Sequence, residues 1–417
     1  MKKLSKLLIG TGAFLFLQAM TIGLADSSEM VVTGANDPAK DVKAVQDALD
    51  KGGTVLLKGK FNFGEKAQVK ITKDVTIHGE KDQKGVPVTE VRGGFLTFSS
   101  PLPVQLPVQN PGPKISIKDL HFDGAEWAPI SIAYSSQTTI TGNKMTNIKP
   151  HIGSMAVFGR KDLYRQQGIA ICPRYGGAQG YLPGAVTGDI LISDNDIDLT
   201  CDDPEKTMAQ GIVIVETTGV DAQILRNRVI NCSRNSLESL DNMPGQGGIG
   251  MTLIKDNKIV TATKGAPVPT PATPNGIIVG WFLDLSGASD PARRTTIVIT
   301  GNQIETRGET SVAIAAIIDE AIVTSNHIIL QGPQAQAIAA WCSKSLIVNN
   351  RIEGTGKCGV ACVPAKDLKC SQNIVAENDF SLLKASMADV LFKGSGNILL
   401  GKHGKVIDEG QGNKTIE

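Results

Sequence analysis

An asparagine set between short apolar runs returns along this chain on a schedule. It stands in "ITGNQIETR" at Asn302, "VTSNHIILQ" at Asn326 and "IVNNRIEGT" at Asn350, with 24 residues from each to the next. Five further copies align on the same residue, at Asn143, Asn195, Asn227, Asn257 and Asn378. The successive spacings are 52, 32, 30, 45, 24, 24 and 28 residues, so the shortest sets the unit and the longer ones carry insertions. An internal period of this size restricts a chain to a stacked array.

Each unit alternates apolar residues with period two, interrupted at the Asn: Ile299 precedes Asn302 and Ile304 follows it. Further along each unit comes another short strand, such as "GIVIV" (211–215), "GIIVG" (276–280) or "AIAA" (337–340). Three short strands in about 24 residues predict one coil of a parallel β-helix. A lone coil buries only a handful of aliphatic side chains, which returns less free energy than ordering its backbone removes. Stacking coils roughly 4.8 Å apart adds ladder hydrogen bonds and a shared core. The Asn then marks a tight bend, where a short amide tolerates unusual backbone angles. Its side chain can donate to one neighbouring coil and accept from the other.

On these residues the chain resembles the right-handed parallel β-helix proteins of the pectin-lyase-like superfamily, over roughly residues 30–410. The expected fold is all-β: a single-stranded right-handed solenoid of roughly 9–11 coils with a short N-terminal capping helix. "DPAKDVKAVQDALDKGG" (37–53) reads as that helix, with Val42, Val45, Ala48 and Leu49 on one face and a glycine pair as its stop. Such a helix covers the open edge of the first coil. The expected organisation is a signal peptide over 1–25, a cap helix and first strand over 26–60, the β-helix over 61–395, and a C-terminal cap or tail over 396–417.

The signal peptide is read from Lys2, Lys3 and Lys6, the apolar run behind them, and small Gly23 and Ala25 at the cut. It implies an exported protein, periplasmic or extracellular, with no membrane-spanning segment in the mature chain. A formal net charge of +1 argues against nucleic acid as partner. Aromatics at 4% beside 45 Gly suit small stacked layers better than a helical globule. There are seven Cys, an odd number. Cys201 and Cys232 follow their bend residues at similar offsets, which would stack them and permit a disulfide.

In the resembling enzymes the binding groove lies on the outward face of the strand that follows the variable loop. Inward positions there would be Ile169, Ile171, Ile212, Ile214, Ile277, Val279 and Ile338. Outward ones would be Ala170, Cys172, Val213, Val215, Ile278, Gly280, Ala313, Ala339 and Ala361, small or apolar where a hydrolase or lyase needs carboxylates or cations. One zone departs from this: "SLESLD" (236–241) aligns with "GIVIVE" (211–216) and turns Glu238 outward. Glu216 and Asp241 end adjacent strands, Asp202 and Asp203 enter the same coil on "TCDDPE", and Arg174 comes from a neighbouring coil. That set predicts an acid/base cluster or a Ca²⁺ site, with Arg174 holding a substrate carboxylate.

Family signatures narrow this little. "CDDP" resembles the paired-Asp segment of polygalacturonases, but "GKHGK" (401–405) lacks the Gly directly before His403 and no Arg-x-Lys follows. The resemblance therefore implies a protein that binds or degrades an acidic polysaccharide, as a lyase or glycoside hydrolase if catalytic. The alternative is a non-catalytic surface scaffold that uses its loops and an apolar face for protein contacts. Trp281 and Trp341 could stack on a sugar ring or pack inward, and His78, His121, His151 and His327 share no metal-ligand spacing.

Overall fold

The computed structural model describes residues 29–102, 111–152, 162–171, 174–175, 180–181, 185–215, 220–240, 250–265, 273–280, 295–365 and 368–416. The expected signal peptide and most of the long insertions lie outside them. What is described is a parallel β-helix with three ladders of strands running along its length. It winds with the right-handed crossover that right-twisted strands impose.

The first ladder holds the strands that precede each bend Asn. Its fourteen strands stack in chain order, from Met30–Thr33 to Lys414–Ile416. The second ladder holds the strands that follow the Asn, such as Gln303–Thr306 over His327–Leu330. The third holds the strands beyond the loops, including Thr207–Val215, Asn235–Leu240, Asn275–Gly280 and Val312–Ile317. Second and third ladders merge into one 22-stranded sheet, joined by long strands such as Arg351–Cys362 and Asp379–Phe392 that pair along most of their length. The stack runs on past residue 395, where Ile398–Leu400 pairs with Ile374–Ala376 and with Lys414–Ile416.

Alternation sets the core. Ile254, Ile299, Val323, Ile347 and Val375 line the first ladder, and Val229, Ile259, Ile304, Ile328 and Ile352 the second, all within 1% of complete burial. The expected inward set of the third ladder, Ile169, Ile171, Ile212, Ile214, Ile277, Val279 and Ile338, is in the same cluster. The N-terminal end is covered by the helix Pro38–Leu49, capped by Asp37, whose side chain accepts from the backbone of Ala39 and Lys40. Val45, Ala48 and Leu49 are buried and Val42 packs at the margin. Buried Asp41 ties the helix down by accepting from the backbone N–H groups of Ala35 at 2.7 Å and Asn62 at 2.7 Å.

The asparagine column is continuous. From Asn143 through Asn195, Asn227, Asn257, Asn302, Asn326 and Asn350 to Asn378, each Nδ2 donates to the next Oδ1 at 2.9–3.0 Å. Each backbone N–H donates to the same oxygen at 2.9–3.1 Å. A second Nδ2 bond goes to a carbonyl of the coil behind, as from Asn326 to Ile299 at 3.0 Å. The unusual backbone angle belongs to the residue before the Asn, not to the Asn itself. Asp194, Arg226, Asp256, Ser325, Asn349 and Glu377 take φ between 51° and 59° there, and Gly142 and Gly301 take 68°. A left-handed non-glycine residue costs roughly 1–2 kcal/mol, and the hydrogen bonds of the adjacent buried amide offset it. The column ends at Asn378, because Lys402 stands two residues after Leu400, the ladder partner of Ala376.

A shorter column at another corner was not anticipated. Asn373 Nδ2 donates to Asn397 at 3.0 Å and Asn397 to Asn413 at 3.1 Å, with Ser345 N–H leading in at 2.9 Å. Each of these residues directly precedes a first-ladder strand.

Replacing Asn326 removes an acceptor from Asn302 and donors from Ile299, Thr324 and Asn350. N326A is therefore expected to lower stability by about 3–5 kcal/mol. Q303A, one residue past the neighbouring bend on the exposed face, should stay within about 0.5 kcal/mol. Denaturant midpoints of the two variants check this, and a loss below about 1 kcal/mol for N326A would contradict the column's role.

Candidate functional site

The third ladder's outward face is the part of the solenoid where chemistry was expected. Register places Ala170, Val213, Glu238, Ile278, Ala315, Ala339 and Ala361 in one row. All are buried, although strand alternation turns them to the outward side, and Ile278 and Ala315 belong to the core cluster. The long insertions 261–276 and 286–296, expected to fold over this face, lie outside the described residues over 266–272 and 286–294, as does Trp281. Trp341 packs against the core. Ala313 corrects the expectation. It sits in a corner row with Gly168, Gly211 and Gly276, where the chain turns inward. A Cβ on Gly211 would meet Val229 at 2.3 Å and one on Gly276 would meet Ile304 at 2.9 Å, both core side chains.

Glu238 is the one carboxylate of that row, 7% exposed. Two relays of buried amides end on it. From one side, Trp127 Nε1 donates to Gln167 at 3.1 Å, Gln167 Nε2 to Gln210 at 3.2 Å, and Gln210 Nε2 to Glu238 Oε2 at 2.6 Å. From the other, the backbone N–H of Val312 donates to Asn275 at 3.1 Å, Asn275 Nδ2 to Asn235 at 3.0 Å, and Asn235 Nδ2 to the same Glu238 Oε2 at 2.5 Å. Gln167, Gln210, Asn235, Asn275 and Val312 are neighbours across five successive strands. Every amide passes its donors toward the carboxylate, which therefore has to act as an acceptor.

The far end of the first relay is an aromatic cluster at the solenoid's surface. The rings of Trp127 and His151 stack at 5.3 Å, 5° from parallel, and Phe95 meets both edge-on at 5.7 and 4.9 Å. Glu126 Oε1 holds His151 Nδ1 at 2.6 Å. Sequence reasoning missed this cluster and the relays. The signal was present as an amide, a small residue and an aliphatic one in "QGI" (167–169), "QGI" (210–212), "NSL" (235–237) and "NGI" (275–277). Its spacing is irregular, and only the ladder register puts the four in line.

The other predicted site residues are placed as follows. Asp203 accepts from Thr207 N–H through its backbone and pairs with Lys206 at 3.1 Å, at the foot of the strand Thr207–Val215. Asp202 beside it is exposed. Glu238 pairs with Val213, six residues further along that strand, on the order of 20 Å of chain away. Arg174 falls in a short strand, Arg174–Tyr175, paired antiparallel with Gly180–Tyr181, and only its strand is described. Glu216 and Asp241 lie outside the described residues. A Ca²⁺ shell does not fit what is placed around Glu238, because Gln210 and Asn235 aim N–H donors at the oxygen a cation would need. Among the described residues no group of three or more His, Cys, Asp or Glu could hold a metal.

The thiols also differ from expectation. Cys201 and Cys232 are both free, as are Cys342, Cys358, Cys362 and Cys370. Cys232 points into the core and Cys201 stays on a half-exposed loop. A cavity of about 950 Å³ lies at the other end of the solenoid, lined by Glu377, Asp379, Phe380, Asp389, Lys402 and His403, where the asparagine column stops.

No family model matches the chain, and no curated protein matches it. Among solved structures it is similar to the A-module of mannuronan C-5 epimerase AlgE4 from Azotobacter vinelandii, at 10% identity over 88% of this chain and 98% of that one, TM-score 0.41. The A-module of mannuronan C-5 epimerase AlgE6 from the same organism follows at 11% identity, 89% and 95% coverage, TM-score 0.37. A PL6 alginate lyase in complex with a trisaccharide gives 12% identity, 90% and 64% coverage, TM-score 0.34. Likenesses this distant carry no function across, and the fold assignment rests on the ladders described above.

Two outcomes follow from the site. E238Q keeps an acceptor oxygen for both relays, whereas E238A orphans Gln210 and Asn235, so E238A should be less stable than E238Q by about 2–4 kcal/mol in urea unfolding. Equal stability would mean the relays do not converge as described. Burial pushes the thiols of Cys232, Cys342 and Cys358 up to about 12. A thiol-disulfide reagent at pH 8 should therefore leave all three unmodified until denaturant is added, and peptide mapping that found them labelled in the native protein would contradict this.

Proposed function

We propose that this is an exported β-helix protein, periplasmic or extracellular, that acts on an acidic polysaccharide at the third ladder around Glu238. One observation supports the reading most: a single carboxylate on an otherwise apolar row, held at a fixed angle by donors from both directions. A carboxylate oriented in this way suits general-base work, because its accepting lone pairs are placed before the substrate arrives. A glycoside hydrolase needs a second carboxylate within about 5–10 Å, and Glu216 and Asp241, which follow Val215 and Leu240 in the chain, are the candidates for it. A lyase needs a base beside the acidic proton and a cation on the sugar's carboxylate, the part earlier assigned to Arg174. Asp202 and Asp203, on the surface loop, then assist binding and stay out of the chemistry. The stacked pair Trp127 and His151, at the end of the relay, suits the face of a sugar ring.

The buried, apolar character of the rest of the row favours a second reading, a scaffold whose loops pack on Ala170, Val213, Ile278, Ala315, Ala339 and Ala361 and present a protein-binding surface. The two separate in one screen. Purified protein is incubated with uronic-acid polymers, alginate among them, with and without Ca²⁺. Absorbance of unsaturated uronides identifies a lyase, and new reducing ends identify a hydrolase. Turnover abolished in E238Q is the expected result. No product from any polymer under either condition would overturn the enzymatic reading in favour of the scaffold.

A further inference from the structure

Arg234 stands directly before Asn235, the last amide of one relay onto Glu238. It is 6% exposed, a rare depth for a guanidinium, which stays charged and carries five N–H donors. Among the described residues its side chain forms no ion pair and donates no hydrogen bond. Glu238 is near enough to favour the charged form against the burial that disfavours it, but the Oε2 of Glu238 is already taken by Gln210 and Asn235. The backbone of Arg234 is fixed on both sides, its N–H donating to Ala209 and its carbonyl accepting from Asn275. The ladder thus fixes the backbone of Arg234, while among the described residues its side-chain donors meet no acceptor and none of its nitrogens is a fully enclosed atom. A guanidinium this deep gains from an anion that reaches its accessible edge.

We propose that Arg234 anchors an oxyanion-binding site on the third ladder beside Glu238, accepting a carboxylate, sulfate or phosphate group through the fork of its guanidinium. A planar two-oxygen anion matches that fork, and an ammonium could not reproduce it. Glu238, four residues further along the chain, repels an anion that approaches too close to its own oxygens. The anion is therefore steered to the guanidinium, and a neutral part of the ligand, such as a hydroxyl, is left facing the carboxylate. The identity of the ligand as part of an acidic polysaccharide rests on the function proposed above, but the site can be tested without it.

The test is calorimetric titration of the full chain with glucuronate, glucose 6-sulfate and inorganic phosphate, with glucose as the neutral control. At least one of the three anions should bind while glucose does not, and which one binds distinguishes the source of the oxyanion. R234M should weaken that binding at least tenfold, and R234K, which keeps the charge but not the fork, by several-fold. R234K stands in if R234M does not fold. No heat from any anion with the wild-type chain, or binding unchanged in R234K and R234M, overturns the site. Arg234-dependent binding of glucuronate without turnover of any polymer would sink the enzymatic reading and leave the site standing. Turnover without Arg234-dependent binding would do the reverse.

Discussion

The structure depends on a buried side-chain amide being able to donate and accept along one line. At each bend the chain has to turn from the first ladder into the second within two residues, and the residue before the Asn takes a left-handed backbone conformation that most side chains resist. The Asn that follows turns inward, fills the backbone groups the bend exposes, and hands its remaining donor to the next coil. A polar group inside a solenoid would ordinarily be a liability. Here it is satisfied by repetition, since each Asn between Asn143 and Asn378 meets an identical neighbour on either side. The aliphatic rows on both sides of the column then fall into register without further instruction.

That arrangement explains why so much of the fold could be read from the chain. The period at Asn302, Asn326 and Asn350 is visible without alignment to anything, and the capping helix shows its N-cap, its apolar face and its glycine stop. What was misread is local. The strained angle was assigned to the Asn and belongs to its predecessor, because sequence gives the position of a bend more readily than the torsion within it. Ala313 was counted outward by strict alternation, and the corner before Ile314 breaks the alternation. The column at Asn373, Asn397 and Asn413 was missed because it spans too few coils to establish a period.

The site was less legible, for a physical reason. Glu238 was picked out by its outward register, which the ladder supports, but of the two amides that fix its orientation Gln210 lies 28 residues away, and Asn235, three residues away, is itself held by Asn275 from 40 residues further along. No local pattern ties Gln210 or Asn275 to Glu238. Only the stacking does, and it uses residues that read as ordinary loop-end amides. Asp202 and Asp203 looked like companions because they enter the same coil, yet position along the strand separates them from Glu238 more than their place in the chain suggests. A solenoid makes neighbours across coils and distances within them, so sequence proximity is a poor guide to a site on its surface.

The account therefore stands on whether these amides are locked in a column. The direct measurement is hydrogen exchange of Asn side-chain NH₂ groups in protein labelled with ¹⁵N-asparagine, followed by NMR. The column predicts that the resonances of Asn302, Asn326 and Asn350 persist in D₂O for hours, like the amides of the core ladders, while the exposed amide of Asn349 exchanges at the rate of a free side chain. If the three exchange as fast as Asn349, the column does not exist as a hydrogen-bonded unit and the stacking needs another cause.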